Sequence, residues 1–316
     1  MPLGNEILAV VTRGLLRAID GRGVDRATLL REAELSEESL EPDSWLPIAR
    51  HLRLGRAISA ALPGQNLGLQ TGAPIFSDPR GALGYSLRQS QAHLYALKNF
   101  SAYVATVNRT IRIVLMPEAR GTAVLLEMVP QMEAAGHPAE ALFAAWVAIS
   151  RYLTSSAWRP LEVCFVHQPF GDTSEHRNLF GCSVSFGCPQ TRLVLSESDA
   201  SLAIAPKPHE FEPTIRCAVE HAGTIIGRDE AAARSLGELW ERWRTVPLDV
   251  QTADDGAPET LRARLALARA LLERSGAFVH EVTYLLGFPS MPAFEQAFSA
   301  HFGILPAKLR SARLTV

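Results

Sequence analysis

The chain has 316 residues, 47% of them hydrophobic and 20% charged, with a formal net charge of −2. That length exceeds what one core serves and predicts two domains, and the composition is that of an ordinary globular chain. The charge balance excludes recruitment to nucleic acid by global charge, no apolar run is long enough to span a membrane, and no signal-peptide pattern opens the chain, so a cytoplasmic protein is expected.

Residues 5–19 carry Ile7, Leu8, Val11, Leu15, Leu16 and Ile19 at helical spacing. Residues 26–33 and 46–62 read as two further helices, the latter stopped by Pro63 and Gly64. A short helical turn over 66–72 and a loop over 74–81 precede a long helical region, 84–107, that divides into two helices. The period then changes. Residues 110–116 and 122–129 alternate and predict a β-hairpin. Residues 138–155 form an apolar helix expected to lie against that sheet, and 161–167 a third strand. Residues 172–180 predict a short helix capped by Asp172 or Thr173. Residues 183–186 and 191–195 predict a further strand pair around Gly187, Cys188 and Pro189. Pro206, Pro208 and Pro213 mark an interdomain linker over 200–213. The four cysteines, Cys164, Cys182, Cys188 and Cys217, form no CxxC pair and are expected to be buried free thiols.

The last third is helical. Residues 258–274 place Leu261, Leu265, Ala268, Leu271 and Leu272 on one face. Val279, Val282, Leu285 and Leu286 make the next apolar face, and Gly287 follows where a helix needs a left-handed residue to stop. Ser290 can cap the following helix, with Pro292 in its first turn. Ala293, Phe294, Ala297, Phe298 and Phe302 repeat the stripe before Gly303 and Pro306 end it. Two short helices about a glycine turn make a helix-turn-helix layout.

His280-Glu281-Val282, Leu285-Leu286-Gly287-Phe288, Ala293-Phe294, Ala297-Phe298 and Phe302-Gly303, with Pro306 and Arg310, resemble the second helix-turn-helix of the AraC/XylS family of bacterial transcription regulators. Leu67-Gly68-Leu69, Gly81-Ala82-Leu83-Gly84-Tyr85, Trp158-Arg159-Pro160-Leu161-Glu162-Val163 and Phe180-Gly181-Cys182, with Val184, Phe186 and Gly187, resemble the arabinose-binding-like sensor of one branch of that family. Together the two resemblances cover nearly the whole chain. They imply an α+β N-terminal sensor domain followed by an all-α helix-turn-helix domain. The divisions are a ligand-sensing domain over 1–205, a linker and leading helix over 206–234, and the helix-turn-helix domain over 235–316, its second unit at 277–310. The implied function is non-enzymatic, ligand-responsive DNA binding. Its partners are promoter DNA and a small-molecule effector that the resemblance does not identify, with a homodimer as one assembly.

The family's first helix-turn-helix should lie between Ser235 and Gly256, and here it is degenerate. No glycine marks a turn near Arg244-Thr245-Val246-Pro247, and the following LDVQTADDG is short and acidic. From Ser235 to Val316 nine basic residues (Arg242, Arg244, Arg262, Arg264, Arg269, Arg274, Lys308, Arg310, Arg313) meet nine acidic ones, so the region is neutral. The candidate DNA-facing residues are Ser290, Glu295, Gln296, Ser299 and His301, with Lys308 and Arg310 for phosphates. The neutral balance motivates an alternative: a regulator-derived ligand- or protein-binding module that has lost autonomous DNA binding.

A sensor pocket is apolar with a few placed polar groups. Tyr85, Asn99, Phe100, Tyr103, Met128 and Trp146 are the candidates, with His167 beside them; ordinary core packing is the competing reading of each. His137 and His176 read as isolated residues in polar loops. No nucleophile elbow, phosphate loop, cofactor motif or metal-spaced histidine cluster is present, so neither an enzyme nor a cofactor or metal is expected.

Overall fold

The computed structural model describes residues 3–76, 81–204, 211–245 and 257–313. β1 (Glu6–Leu8) and α1 (Ala9–Arg17) are followed by α2 (Arg26–Glu32), a 3-10 turn (Glu38–Leu40), β2 (Trp45–Pro47), α3 (Ile48–Ala61), α4 (Leu67–Phe76), α5 (Ala82–Arg88) and α6 (His93–Val107). Then come β3 (Ile111–Glu118), β4 (Gly121–Met128), α7 (Pro130–Ala135), α8 (His137–Thr154), β5 (Glu162–Cys164), α9 (Ser174–Phe180), β6 (Ser183–Ser185), β7 (Arg192–Ser196) and α10 (Glu197–Ala200). Six helices follow: α11 (Glu212–Ile226), α12 (Glu230–Thr245), α13 (Pro258–Arg274), α14 (Val279–Leu285), α15 (Met291–Phe302) and α16 (Pro306–Arg313). The chain divides into two compact units, residues 1–78 with 107–203 and residues 79–106 with 204–316.

The first unit is α+β. Its main sheet has the order β3-β4-β7-β5-β6, with β5 and β6 parallel and the other neighbours antiparallel. The hairpin forms as its alternation predicts, in register from Ile111↔Met128 to Glu118↔Gly121. Gly121 is required at the turn: its φ is +142°, and a Cβ there would lie 2.0 Å from the Leu195 carbonyl oxygen. The expected pairing of 183–186 with 191–195 does not occur. β5 lies between β6 and β7, because α9 carries the chain over to lay β6 parallel to β5.

Three other expectations are corrected. The helix expected from residue 5 begins at Ala9, since Glu6–Leu8 pairs with Trp45–Pro47; Ile7 and Leu8 are both buried, a pattern that short runs share between strand and helix. The loop expected over 74–81 is helical as far as Phe76. The cysteines are free thiols but not buried ones: Cys164, Cys182 and Cys188 are half-buried and Cys217 is exposed.

Helix α8 is buried on nearly all sides and packs closely on α4. Two glycines of α4 set that approach. A Cβ on Gly72 would come within 2.2 Å of the Ala141 carbonyl oxygen, and one on Gly68 within 2.7 Å of the Glu140 Cβ. Side chains at either position would force the helices apart.

The second unit is helical. α13 is its axis, buried from Ala263 to Ala268 and packed against α11, α12, α14 and α16. The unit also takes in α5 and most of α6, which pack with α14 although they precede it by about two hundred residues. The degenerate stretch LDVQTADDG lies outside the described residues, as do 205–210 of the linker.

Candidate functional site

A cavity of about 590 Å³ opens in the first unit between α1, α3, α4, α7 and α8. Its volume falls in the range of small-molecule sites. Val11 and Leu15 come from α1, Leu52 from α3, Ile111 from β3, Met132 from α7 and Leu142 from α8. They line it because each sits on the inward stripe of its element. The polar lining is sparse: His51, Arg56, Ser59, Thr71, Asn108, Gln131 and His137, with no Asp or Glu.

Three of those polar groups are already engaged. His51 Nδ1 shares a hydrogen bond with the Thr12 hydroxyl at 3.0 Å, and burial pushes its pKa down to about 4, so at neutral pH it is uncharged. The Thr71 hydroxyl donates to the Leu67 carbonyl at 2.7 Å. The Asn108 side-chain oxygen accepts from the Thr110 amide and hydroxyl. Two others lie on α3. The Ser59 hydroxyl oxygen is buried with no hydrogen-bond partner among the described residues. Arg56 is exposed, and no ion pair holds it among the described residues.

Behind the cavity wall stands a charged cluster. Glu140, fully buried in the first turn of α8, accepts hydrogen bonds at Oε1 from His176 Nε2 (2.8 Å) and His167 Nε2 (3.1 Å). His137 Nδ1 is 3.5 Å from Oε2, within ion-pair reach but too long for a good hydrogen bond. Burial raises the Glu140 pKa, but the contacts from His137, His167 and His176 outweigh it and hold the carboxyl well below the usual carboxylate range. Phe170 stacks on His167, and Phe186 meets His176 edge-on. His137 and His176, expected to stand alone in polar loops, thus converge on one carboxylate. Among the described residues no group of three or more His, Cys, Asp or Glu could hold a metal ion.

The second unit carries the helix-turn-helix. Gly287 (φ +65°) stops α14: its amide bonds the Tyr284 carbonyl at 3.0 Å, and the Phe288 amide reaches the Thr283 carbonyl at 3.1 Å. That pair of bonds is a Schellman motif. The Ser290 hydroxyl oxygen caps α15 by accepting from the Ala293 amide at 3.3 Å. Met291, Phe294 and Phe298 are buried, which leaves Gln296, Ala300 and His301 exposed on the outer face of α15.

Residues 23–204 match the family described as the arabinose-binding domain of AraC transcription regulators, N-terminal. The chain belongs to that family. The ornithine utilization regulator of Pseudomonas aeruginosa is 24% identical over 94% of this chain and 94% of its own. The crystal structure of the transcriptional regulator CdpR from Pseudomonas aeruginosa is similar with a TM-score of 0.47 and 16% identity, covering 96% of this chain and 98% of that one.

Within this AraC-type regulator the six candidate ligand residues do not converge. Tyr85, Asn99, Phe100 and Tyr103 belong to the helical unit, Met128 and Trp146 to the α+β unit, and none lines the cavity. Asn99 donates to the Ser90 hydroxyl at 3.0 Å, and Tyr103 packs edge-on against Tyr284. The residues that do line it were accessible to sequence reading on α3. Leu52, Gly55, Arg56 and Ser59 share one face at spacings of three and four, and a glycine among them leaves space.

The candidate DNA residues divide as well. Gln296, His301 and Lys308 are exposed, whereas Glu295 and Ser299 are half-buried, and the Ser299 hydroxyl leans toward the Ile304 carbonyl at 3.4 Å. The Arg310 guanidinium lies 4.3 Å over the Phe278 ring. Arg262 pairs with Asp229 at 2.6 Å and Arg269 with Glu273 at 2.8 Å, so part of the basic complement is spent inside the unit. Arg274 and Lys308 are exposed and have no ion pair among the described residues.

Proposed function

We propose that this regulator is a non-enzymatic, cytoplasmic, one-component switch, with its effector in the α1–α3–α4–α7–α8 cavity and its DNA contacts on α15. The observation that supports it most directly is the α14–α15 pair. Its turn is closed by two backbone bonds and its outer face is left to solvent, as a helix entering a major groove requires. This reading assigns Gln296 to base edges, with Ser299 and Ser290 as further contacts from α15 and its cap, and Lys308 and Arg274 to phosphates, where Arg310 would join them by leaving Phe278. Effector occupancy would shift the balance between two conformational states of the chain that differ in DNA affinity. A homodimer binding paired half-sites is the assembly this reading favours.

The test is binding of the full chain to genomic DNA fragments over a salt series. The expected result is sequence-specific binding that weakens steeply with salt, with Gln296→Ala losing specificity more than affinity. Failure to bind any fragment at low salt, with and without metabolites, overturns the DNA half of the reading. It would favour a ligand- or partner-binding module, the reading to which the neutral charge balance of the C-terminal region points.

A further inference from the structure

The cavity lining is chemically one-sided. It contains an arginine and no carboxylate, and its buried histidine, His51, is held neutral by desolvation. The carboxylate behind the wall, Glu140, is already engaged by imidazoles. A ligand with an ammonium group would find no counter-charge on these walls, and burying it there would strip its hydration without return. Besides Gln131 and His137, a carboxylate finds on α3 a pair of donors one turn apart, the cavity's one arginine, Arg56, at the rim and the Ser59 hydroxyl, which is buried with no hydrogen-bond partner among the described residues. A guanidinium grips a carboxylate through two parallel N–H donors. Val11, Leu15, Met132 and Leu142 supply apolar wall beside them.

We propose that the cavity takes an amphipathic monocarboxylate, with its carboxylate between Arg56 and Ser59 and its apolar body among Val11, Leu15, Met132 and Leu142. This rests on the effector reading of the same cavity and adds the ligand's chemical class. Gly55 gives a means of blocking the space: it lines the cavity, and a Cβ there meets nothing within 4 Å, so a large side chain enters the cavity without first displacing the backbone.

The experiment is calorimetric titration of the full chain with sodium octanoate, octylamine, 1-octanol and L-ornithine, on the wild type, Arg56→Gln and Gly55→Phe. Octanoate is expected to bind the wild type about tenfold or more tightly than octylamine, the ratio set by one charge-assisted hydrogen-bond pair. Arg56→Gln should weaken octanoate by a similar factor and leave 1-octanol within about twofold, since Arg56 meets only the charged end. Gly55→Phe should abolish both. Octylamine or L-ornithine binding that matches or exceeds octanoate, and is lost in Gly55→Phe, overturns the monocarboxylate while the cavity stands as the effector site. Octanoate binding that survives Gly55→Phe overturns the cavity itself. An unchanged octanoate affinity in Arg56→Gln, or no octanoate binding at millimolar concentration, overturns the assigned class.

Discussion

The Arg264 Nε donates to the Leu286 carbonyl at 2.8 Å, and the same guanidinium lies 4.2 Å over the Phe288 ring. Arg264 is 1% exposed, so this basic residue faces the protein interior. It ties the axis helix α13 to the turn of the helix-turn-helix, where the last carbonyls of α14 carry the negative end of the helix dipole. Arg264→Met keeps much of the volume but leaves that carbonyl unpaired. A loss of about 2 kcal/mol is expected, the scale of a buried hydrogen bond to a charged group. Arg264→Lys should not restore it, because an ammonium has no planar face to lay on Phe288. Urea unfolding followed by tryptophan fluorescence reads both variants.

The glycines of α3 and α4 should respond in opposite directions. Gly72→Ala puts a methyl group on the Ala141 carbonyl, and a cost of about 1–3 kcal/mol from overpacking is expected. Gly55→Ala meets open space inside a helix and should stabilise by up to about 1 kcal/mol. Thermal unfolding of the pair checks the reading: equal effects would show that the α4–α8 approach is not set by glycine.

Two acid-side stability losses are expected, in different windows. Burial pushes the His51 pKa in the folded chain down to about 4, below the ordinary histidine value of 6.5. Above pH 6.5 it is neutral in both states and has no effect. Below that the unfolded chain takes the proton first, so stability falls by about 1.4 kcal/mol per pH unit until the folded histidine titrates near pH 4. Glu140 is also depressed in the folded state, so its contribution is complete above its unfolded pKa and is lost as the pH falls below that value. His51→Gln should flatten the upper window and Glu140→Gln the lower one. Guanidinium midpoints measured from pH 7.5 to pH 3 separate them; a single window removed by either variant would tie both losses to one group.

How much of this was legible in the sequence follows from where the information lies. The β3–β4 hairpin and the stripes of α13, α14 and α15 were legible because each is a local period ended by a local stop, at Gly121, Gly276, Gly287 and Gly303. The strand order was not, since β5, β6 and β7 are three to five residues long and their partners are chosen by the crossover through α9. The Glu140 cluster was hidden for a different reason. Its histidines come from the start of α8, the segment after β5 and α9, and each looks solitary until the fold collects them. The cavity was half legible: its face on α3 shows in the spacing of Leu52, Gly55, Arg56 and Ser59, but the walls opposite come from β1, α1, α4, β3, α7 and α8.

The last prediction concerns what the helical unit needs in order to fold. Reading in chain order places the domain boundary at 205, yet α14 uses α5 and α6 to complete its packing. The Tyr284 hydroxyl, fully buried, meets the Ser86 hydroxyl at 2.5 Å and donates to the Asn99 carbonyl at 3.1 Å. Glu281 accepts from the Phe278 amide at the start of its own helix and, with its other oxygen, from the Ala82 amide at the start of α5. Removing α5 and α6 would expose Tyr284 and take away the Ala82 amide that Glu281 accepts from, so we propose that residues 206–316 alone do not reproduce the stability of this unit. The fragment is expected to unfold at lower urea concentration than the same helices in the full chain, and Tyr284→Phe in the full chain should cost about 1–3 kcal/mol by leaving buried polar groups unpaired. Amide hydrogen exchange across residues 258–302 decides the matter. Protection equal in fragment and full chain would mean that α5 and α6 merely rest on a self-sufficient domain; protection lost in α14 and kept in α13 would locate their contribution at the helix-turn-helix itself.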